Sequence, residues 1–155
     1  VRYVLWVDPG LSTGTCLFDF QEMRVTQRED PFYEACGYID ELLCWHGSDI
    51  AIGWETYTIT IETAKKSPQH EALMVIGVCD YLCSVTGSTR LKPASPGDRF
   101  LGKKEWIREL GWMPNGMKDD DALSATQHML AYLIRSHSLP RELAAKLFTE
   151  GSATR

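Results

Sequence analysis

The sequence is short of the features that most readily give a protein away. It holds five cysteines (Cys16, Cys36, Cys44, Cys79 and Cys83) but no CxxC pair. An odd number of thiols scattered through apolar segments reads as reduced core cysteine in a cytoplasmic protein, not as a disulfide frame. Cys79 and Cys83 share a helix face, yet no histidine lies near them, so the ligand spacing of a zinc site is missing. No apolar run reaches the roughly 18 residues of a membrane span. The first residues have no basic segment followed by an apolar one, as a secretory signal would. Repeats and low-complexity tracts are absent. Positive charge is also scarce: 16 Lys and Arg against 21 Asp and Glu give a net charge of −5, which taken alone argues against a polyanionic partner.

What is present is an ordinary globular composition, 44% hydrophobic and 24% charged over 155 residues. That length predicts one domain over 1–155 with a real core, its last ~15 residues forming a peripheral tail. The charge is unevenly placed. From Arg90 to Arg108 six basic residues (Arg90, Lys92, Arg99, Lys103, Lys104 and Arg108) face only Asp98 and Glu105, a local +4 that leaves −9 elsewhere. Such a stretch grips phosphates even in an acidic protein, or is simply a solvated face.

Residues 2–7 read as a buried strand, and DPGLSTG after them as a turn. Thr15–Phe20 and Met23–Gln27 are predicted strands, joined to the first in an antiparallel meander through a tight hairpin at Gln21-Glu22. Asp30-Pro31 predicts a helix start, with Asp30 as N-cap and Pro31 at the first position, running to His46-Gly47. Ser48–Glu55 is a second buried strand, and 56–70 a loop or lid. The helix predicted over 71–85 is apolar nearly all round, so it is buried on more than one side, the second side against a partner subunit. Thr89–Lys92 reads as a short strand, Lys103–Leu110 and Asp119–Ser136 as helices, and the chain after Pro140 as a short helix with a frayed end. The order βββαβαβαα predicts an α/β fold with one mixed sheet and helices on its faces.

Two of these strands share an odd feature: each is an apolar run that delivers a carboxylate to its end, Asp8 and Glu55. A charge at the edge of a core is costly without a hydrogen-bond network, a cation or a metal. A third acid, Asp121, opens a long helix. If the two strands are neighbours, Asp8 and Glu55 face one crevice outside the strand ends, where ligands of α/β sheets bind. Crowded carboxylates keep their charge around a hard divalent cation such as Mg²⁺ or Mn²⁺. Each acid has a plainer role open to it: Asp8 as a turn acid, Glu55 as a partner of Arg2, and the Asp119-Asp120-Asp121 run as a complement to the helix dipole. His128 lies on the face of Asp121, two turns deeper, as a core histidine or a support for a site acid.

Four segments in this order resemble RuvC-type Holliday junction resolvases of the RNase H-like superfamily. VLWVDPGLSTGTCLF resembles that family's first strands, and IAIGWETYTI the strand bearing its second acid. LKPASPGDRFLGKKEWIRELGW resembles its proline-containing strand exit and basic helix, and DDDALSATQHMLAYL its last acidic helix. The likeness spans roughly residues 1–136 and is strongest to the short RuvC-like nucleases of bacteriophages. It implies an RNase H-like fold, with a five-stranded mixed sheet (three antiparallel strands, then parallel ones) flanked by helices. It also implies a homodimer, here through the helix of 71–85, and a metal-dependent endonuclease acting on branched DNA such as a four-way junction, fork or flap. The implied products carry 5′-phosphate and 3′-hydroxyl ends, and the implied location is the cytoplasm, that of the host cell for a phage protein. By the same resemblance Asp8, Glu55 and Asp121 hold two Mg²⁺ or Mn²⁺ ions. Lys103 and Lys104, where that family has basic residues, contact phosphate or are plain surface lysines. From its place just past Glu55, Tyr57 borders the site, where it stacks on or wedges apart bases or is simply a packed aromatic of the lid. Lys118 stands where the family carries a further acid or histidine, which leaves the fourth ligand to Asp119 or Asp120 or leaves it missing.

Three other readings share parts of the pattern. YqgF-like RNA-processing nucleases open with a similar strand-Asp-x-Gly turn but fit the WETYTIT segment less well. ATP-binding domains of the sugar-kinase or actin type open similarly but need far more chain. A degenerate nuclease that binds branched DNA without cutting it accommodates Lys118.

Overall fold

The structure, a computed structural model, describes residues 1–57, 70–113 and 120–149. Alternation within the first strand sets the architecture. In β1 (Tyr3–Asp8) Val4 and Trp6 point to one side of the sheet and Leu5 and Val7 to the other, and all four are buried. A strand buried on both faces belongs at the centre of a sheet covered on both sides. β1 holds that place in the order β3-β2-β1-β4-β5. It pairs antiparallel with β2 (Ser12–Asp19), which pairs antiparallel with β3 (Arg24–Pro31). On its other edge β1 runs parallel to β4 (Ile50–Trp54), and β4 parallel to β5 (Thr89–Arg90).

On one face, Val4, Trp6, Cys16, Phe18 and Ala51 pack against α4 (Asp121–Arg135) through Leu123, Met129, Leu130 and Leu133. The short α3 (Lys104–Glu109) adds Ile107 to this core, and α5 (Arg141–Thr149) adds Leu143 and Leu147. On the other face, Leu5, Val7, Ile50, Ile52 and Trp54 meet two helices. These are α1 (Phe32–His46), through Ile39 and Leu43, and α2 (His70–Thr86), through Val75, Cys79 and Leu82. The far side of α2 leaves Met74, Tyr81 and Val85 exposed. All five cysteines are free, and burial raises the Cys16 and Cys79 thiols well above their ordinary range. No helix among the described residues is long and apolar enough to cross a membrane.

The meander differs from expectation at its ends. β2 begins at Ser12, because the turn is closed by Thr13, whose hydroxyl donates to Gly10 O at 2.9 Å, and Asp8 is already paired with Gly14. β3 continues to Pro31, opposite Ser12, so Asp30 is a strand residue paired with Arg28 at 2.8 Å and not the helix cap. α1 therefore starts at Phe32, with Pro31 before it and no side-chain cap. Phe32 N–H instead donates to Leu11 O at 3.1 Å, which meets one of the helix's open donors from the turn. The connection of β2 to β3 covers 20–23, where Asp19 Oδ1 accepts from the Gln21 and Glu22 amides. α4 begins two residues later than expected, since Asp120 keeps an extended backbone and its side chain accepts from Leu123 N–H at 2.8 Å.

Candidate active site

Backbone contacts bring the acids towards one end of the sheet. Val7 and Trp54 are partners in the parallel ladder, and Glu55 N–H donates to Val7 O at 3.0 Å. Asp8 and Glu55 therefore leave adjacent strands at their carboxyl ends. Glu55 is held from its other side as well, by a bridge to Ala94 in the segment that follows β5. Across β1, Asp8 pairs with Gly14. Over Gly14 lies the backbone of Asp121, so close that a Cβ at position 14 would sit 1.9 Å from Asp121 O. Glycine is required here because the first turn of α4 occupies the space of a side chain.

The electrostatics follow from this crowding. The Asp8 carboxyl is pushed up to about 6. Burial is the main cause, the negative charges of Glu55 and Asp121 add to it, and a hydroxyl hydrogen bond from Ser124 opposes it. Asp121 is raised as well, first by burial and then by Glu29, Asp120 and Glu55. Glu55 is joined to His128, whose Nε2 lies 2.6 Å from Glu55 Oε2. His128 is 1% exposed and stacks against Trp6, with ring centroids 5.8 Å apart. Arg2, the other partner considered for Glu55, is bound instead to Asp19 at 2.8 Å.

These carboxylates sense one another but do not close into a cage. Among the described residues no three ligating side chains stand near enough to enclose a metal ion. The donor chemistry nevertheless fits a hard divalent cation, with carboxylate oxygens only and an Asp8 whose proton affinity such a cation would reverse. Lys118 and Asp119 lie outside the described residues, and Asp120 serves as the cap of α4.

Beside Asp121 opens a cleft of ≈540 Å³. Lys103 and Lys104 line it with Arg99, Phe100, Asp121 and Ser124, whereas Asp8 and Glu55 lie outside its lining. The Lys103 ammonium sits 4.7 Å above the Trp106 ring. Tyr57 follows Glu55, half-buried, and the loop expected beyond it falls almost wholly on residues not described.

Sequence reasoning overlooked Ser124 and left the partners of Arg99 and His128 unnamed. Ser124 donates to Asp8, Arg99 Nη1 donates to Ser124 Oγ at 3.2 Å, and His128 binds Glu55. Ser124 and His128 fall at i+3 and i+7 from Asp121, so a helical-face reading of the sequence could have grouped all three. Nothing in the sequence pointed from Arg99 to Ser124.

No family model and no curated protein sequence matches this chain. Solved structures do. RuvC of T. thermophilus, determined in complex with a Holliday junction substrate, superposes with a TM-score of 0.59 over 89% of this chain and 96% of its own, at 12% identity. The yeast mitochondrial Holliday junction resolvase Ydc2 aligns over 91% of this chain and 82% of its own at 11% identity, with a TM-score of 0.44 too low to weigh. The mixed sheet with its flanking helices is therefore the RNase H-like fold. More narrowly, it is similar to the fold of T. thermophilus RuvC.

Proposed function

We propose that this protein is a divalent-metal-dependent endonuclease that cuts branched DNA, leaving 5′-phosphate and 3′-hydroxyl ends. One observation supports the reading most: in a RuvC-type fold, Asp8 and Glu55 leave adjacent strands at their carboxyl ends, Asp121 lies over Gly14 beside them, and the charges of Glu55 and Asp121 add to the raised proton affinity of Asp8. Such a cluster is a liability to folding unless a cation or substrate uses it.

Asp8, Glu55 and Asp121 would hold the Mg²⁺ or Mn²⁺, two ions in all. The bound metal supplies an activated water and charge stabilisation at the leaving oxygen. The chain's own residues do the rest. Ser124 directs a donor at Asp8 and favours its charged form. His128 fixes the Glu55 carboxylate by its Oε2 atom. Lys103 and Lys104 draw the phosphodiester into the cleft beside Asp121 and offset its charge. Tyr57 borders the strand end that carries Glu55 and contacts the bases of the substrate. The cations of the 90–108 segment supply the DNA affinity that the net charge of −5 withholds. A homodimer through α2, whose Met74, Tyr81 and Val85 are uncovered in one chain, presents two such sites to a four-way junction.

The four-way junction is favoured as substrate because the T. thermophilus structure holds one. The test is incubation of an end-labelled four-way junction and a linear duplex with and without Mg²⁺ or Mn²⁺. Selective, metal-dependent cutting of the junction that disappears in Asp8→Asn supports the reading. Equal cutting of both DNAs removes branch selectivity, tight junction binding without cutting replaces the nuclease by a binding protein, and cleavage that survives Asp8→Asn removes Asp8 from its role.

A further inference from the structure

The segment between β5 and α3 has a feature that hydrolysis does not need. The turn over Pro96–Leu101 displays Phe100 at 74% exposure and Leu101 at 42%, although its backbone is tied down at several points. Its start is locked by a reciprocal cap, in which Ser95 N–H donates to Asp98 Oδ2 at 2.7 Å and the Asp98 N–H donates to the Ser95 side chain. Three contacts then join it to α4. Arg135 donates to Asp98 at 2.6 Å, Arg99 to Ser124 at 3.2 Å, and Gln127 Nε2 to Gly102 O at 3.1 Å. Gly102 lies so close to α4 that a Cβ there would be 2.0 Å from Gln127 O. The exposed aromatic is thus presented by a rigid mount, with little freedom left for a ligand to take away.

Its surroundings indicate the ligand. Phe100 lines the cleft that reaches Asp121, on the wall that also carries Arg99, Lys103 and Lys104. The cleft's acids are Glu105 of α3, Asp120 at the cap of α4 and Asp121 in its first turn. A flat apolar face among cations, near carboxylates, suits a chain that alternates π faces with phosphates. Base stacking on an aromatic ring, with Arg and Lys along the backbone, is the general mode of single-strand binding. A protein partner would be served by the apolar pair Phe100 and Leu101 but gives no use for cations leading to Asp121.

We infer that Phe100, on its fixed turn, is a stacking platform for an unpaired nucleobase next to the scissile region, and that it selects DNA with unpaired nucleotides over continuous duplex. The inference rests on the nuclease reading and adds a recognition element to the same cleft. Binding in EDTA of a forked DNA with two unpaired arms, compared with a fully paired duplex of equal length, tests it. One arm carries 2-aminopurine, whose fluorescence falls on stacking. Phe100→Ala should weaken fork binding about 5- to 100-fold and abolish the quenching. It should change duplex binding by no more than about twofold, and Phe100→Trp should restore both fork signals. With Phe100 largely in solvent, these substitutions leave the fold intact, which a circular dichroism melt verifies. Equal losses on fork and duplex, or no loss on either, overturn the inference while leaving the nuclease reading to the cleavage assay. If the unaltered protein binds neither fork nor four-way junction, both fall.

Discussion

Replacing Gly14 with alanine puts a single methyl group into the seam that joins the sheet to the helix bearing Asp121. The added Cβ would meet Asp121 O at 1.9 Å, Asp121 C at 2.1 Å and Ala122 N at 2.6 Å. All three are backbone atoms, so no change of rotamer relieves the overlap. Ordinary contact begins near 3.4 Å, and the first turn of α4 must retreat by about 1.5 Å to reach it. The retreat would also strain Asp120's cap on Leu123 and the hydroxyl bond from Ser124 to Asp8, both of which depend on that turn. Overpacking of this kind costs about 1–3 kcal/mol where side chains absorb it. Against rigid backbone we expect about 3 kcal/mol, or a fall in Tm of about 6–12 °C for a chain of this length. Urea denaturation measures the loss, with Gly37→Ala as control. Gly37 lies in α1 with nothing within 4 Å of its would-be Cβ, so alanine there should stabilise by about 0.5–1 kcal/mol. Under conditions where Gly14→Ala remains folded, its Mn²⁺ affinity should also be lower, because Asp121 has moved from Asp8. Stability within about 0.5 kcal/mol of the parent chain, the range of neutral surface substitutions, would refute the packing on which the site is built.

The pH dependence of the metal-free protein offers a second check. Asp8 is raised from its ordinary 3.8 to about 6, so the folded state retains a proton that the unfolded chain releases. The contribution of this group is complete below about pH 4 and is lost as pH rises through 6, on the order of 2–3 kcal/mol by pH 7.5. Asp8→Asn should therefore be more stable than the parent chain at pH 7.5 in EDTA and lose that advantage in saturating Mg²⁺; calorimetric melts over pH 4–8 measure this, and a variant less stable throughout contradicts it. His128→Ala removes the buried donor on Glu55 and opens a cavity beside Trp6, for an expected loss of about 2–4 kcal/mol in urea denaturation. His128→Gln, which keeps a donor within reach of Glu55, should recover part of that loss. Lys103→Ala and Lys104→Ala should each weaken DNA binding on fork and duplex alike and flatten the dependence of log K on log salt by about 0.7–0.9; an unchanged slope removes that lysine from the phosphate contacts.

The parts of the candidate site legible in the sequence are those written as local contrasts. An apolar run ending in one acid marks Asp8 and Glu55, because a strand buried on both faces admits a charge only where it leaves the core. The parallel neighbours and the antiparallel meander follow from element order. The bounds of β3 were less legible: it is an edge strand rich in polar residues, whose pairing with β2 is set by backbone ladders rather than by an apolar pattern. Asp30-Pro31 has the local chemistry of a helix start, and the ladder to Ser12 overrode it. The supports of the acids were the hardest to see. His128 meets Glu55 across 73 positions and Arg99 meets Ser124 across 25, contacts that exist only once α4 lies across the sheet.

Calorimetric titration of the metal-free protein with Mn²⁺ tests the central claim most directly. If Asp8, Glu55 and Asp121 share the ion, the parent chain binds Mn²⁺ and releases protons at pH 6. Asp8→Asn, Glu55→Gln and Asp121→Asn should each lower the affinity at least tenfold. Affinity unchanged by all three substitutions, or no binding by the parent chain, would contradict it.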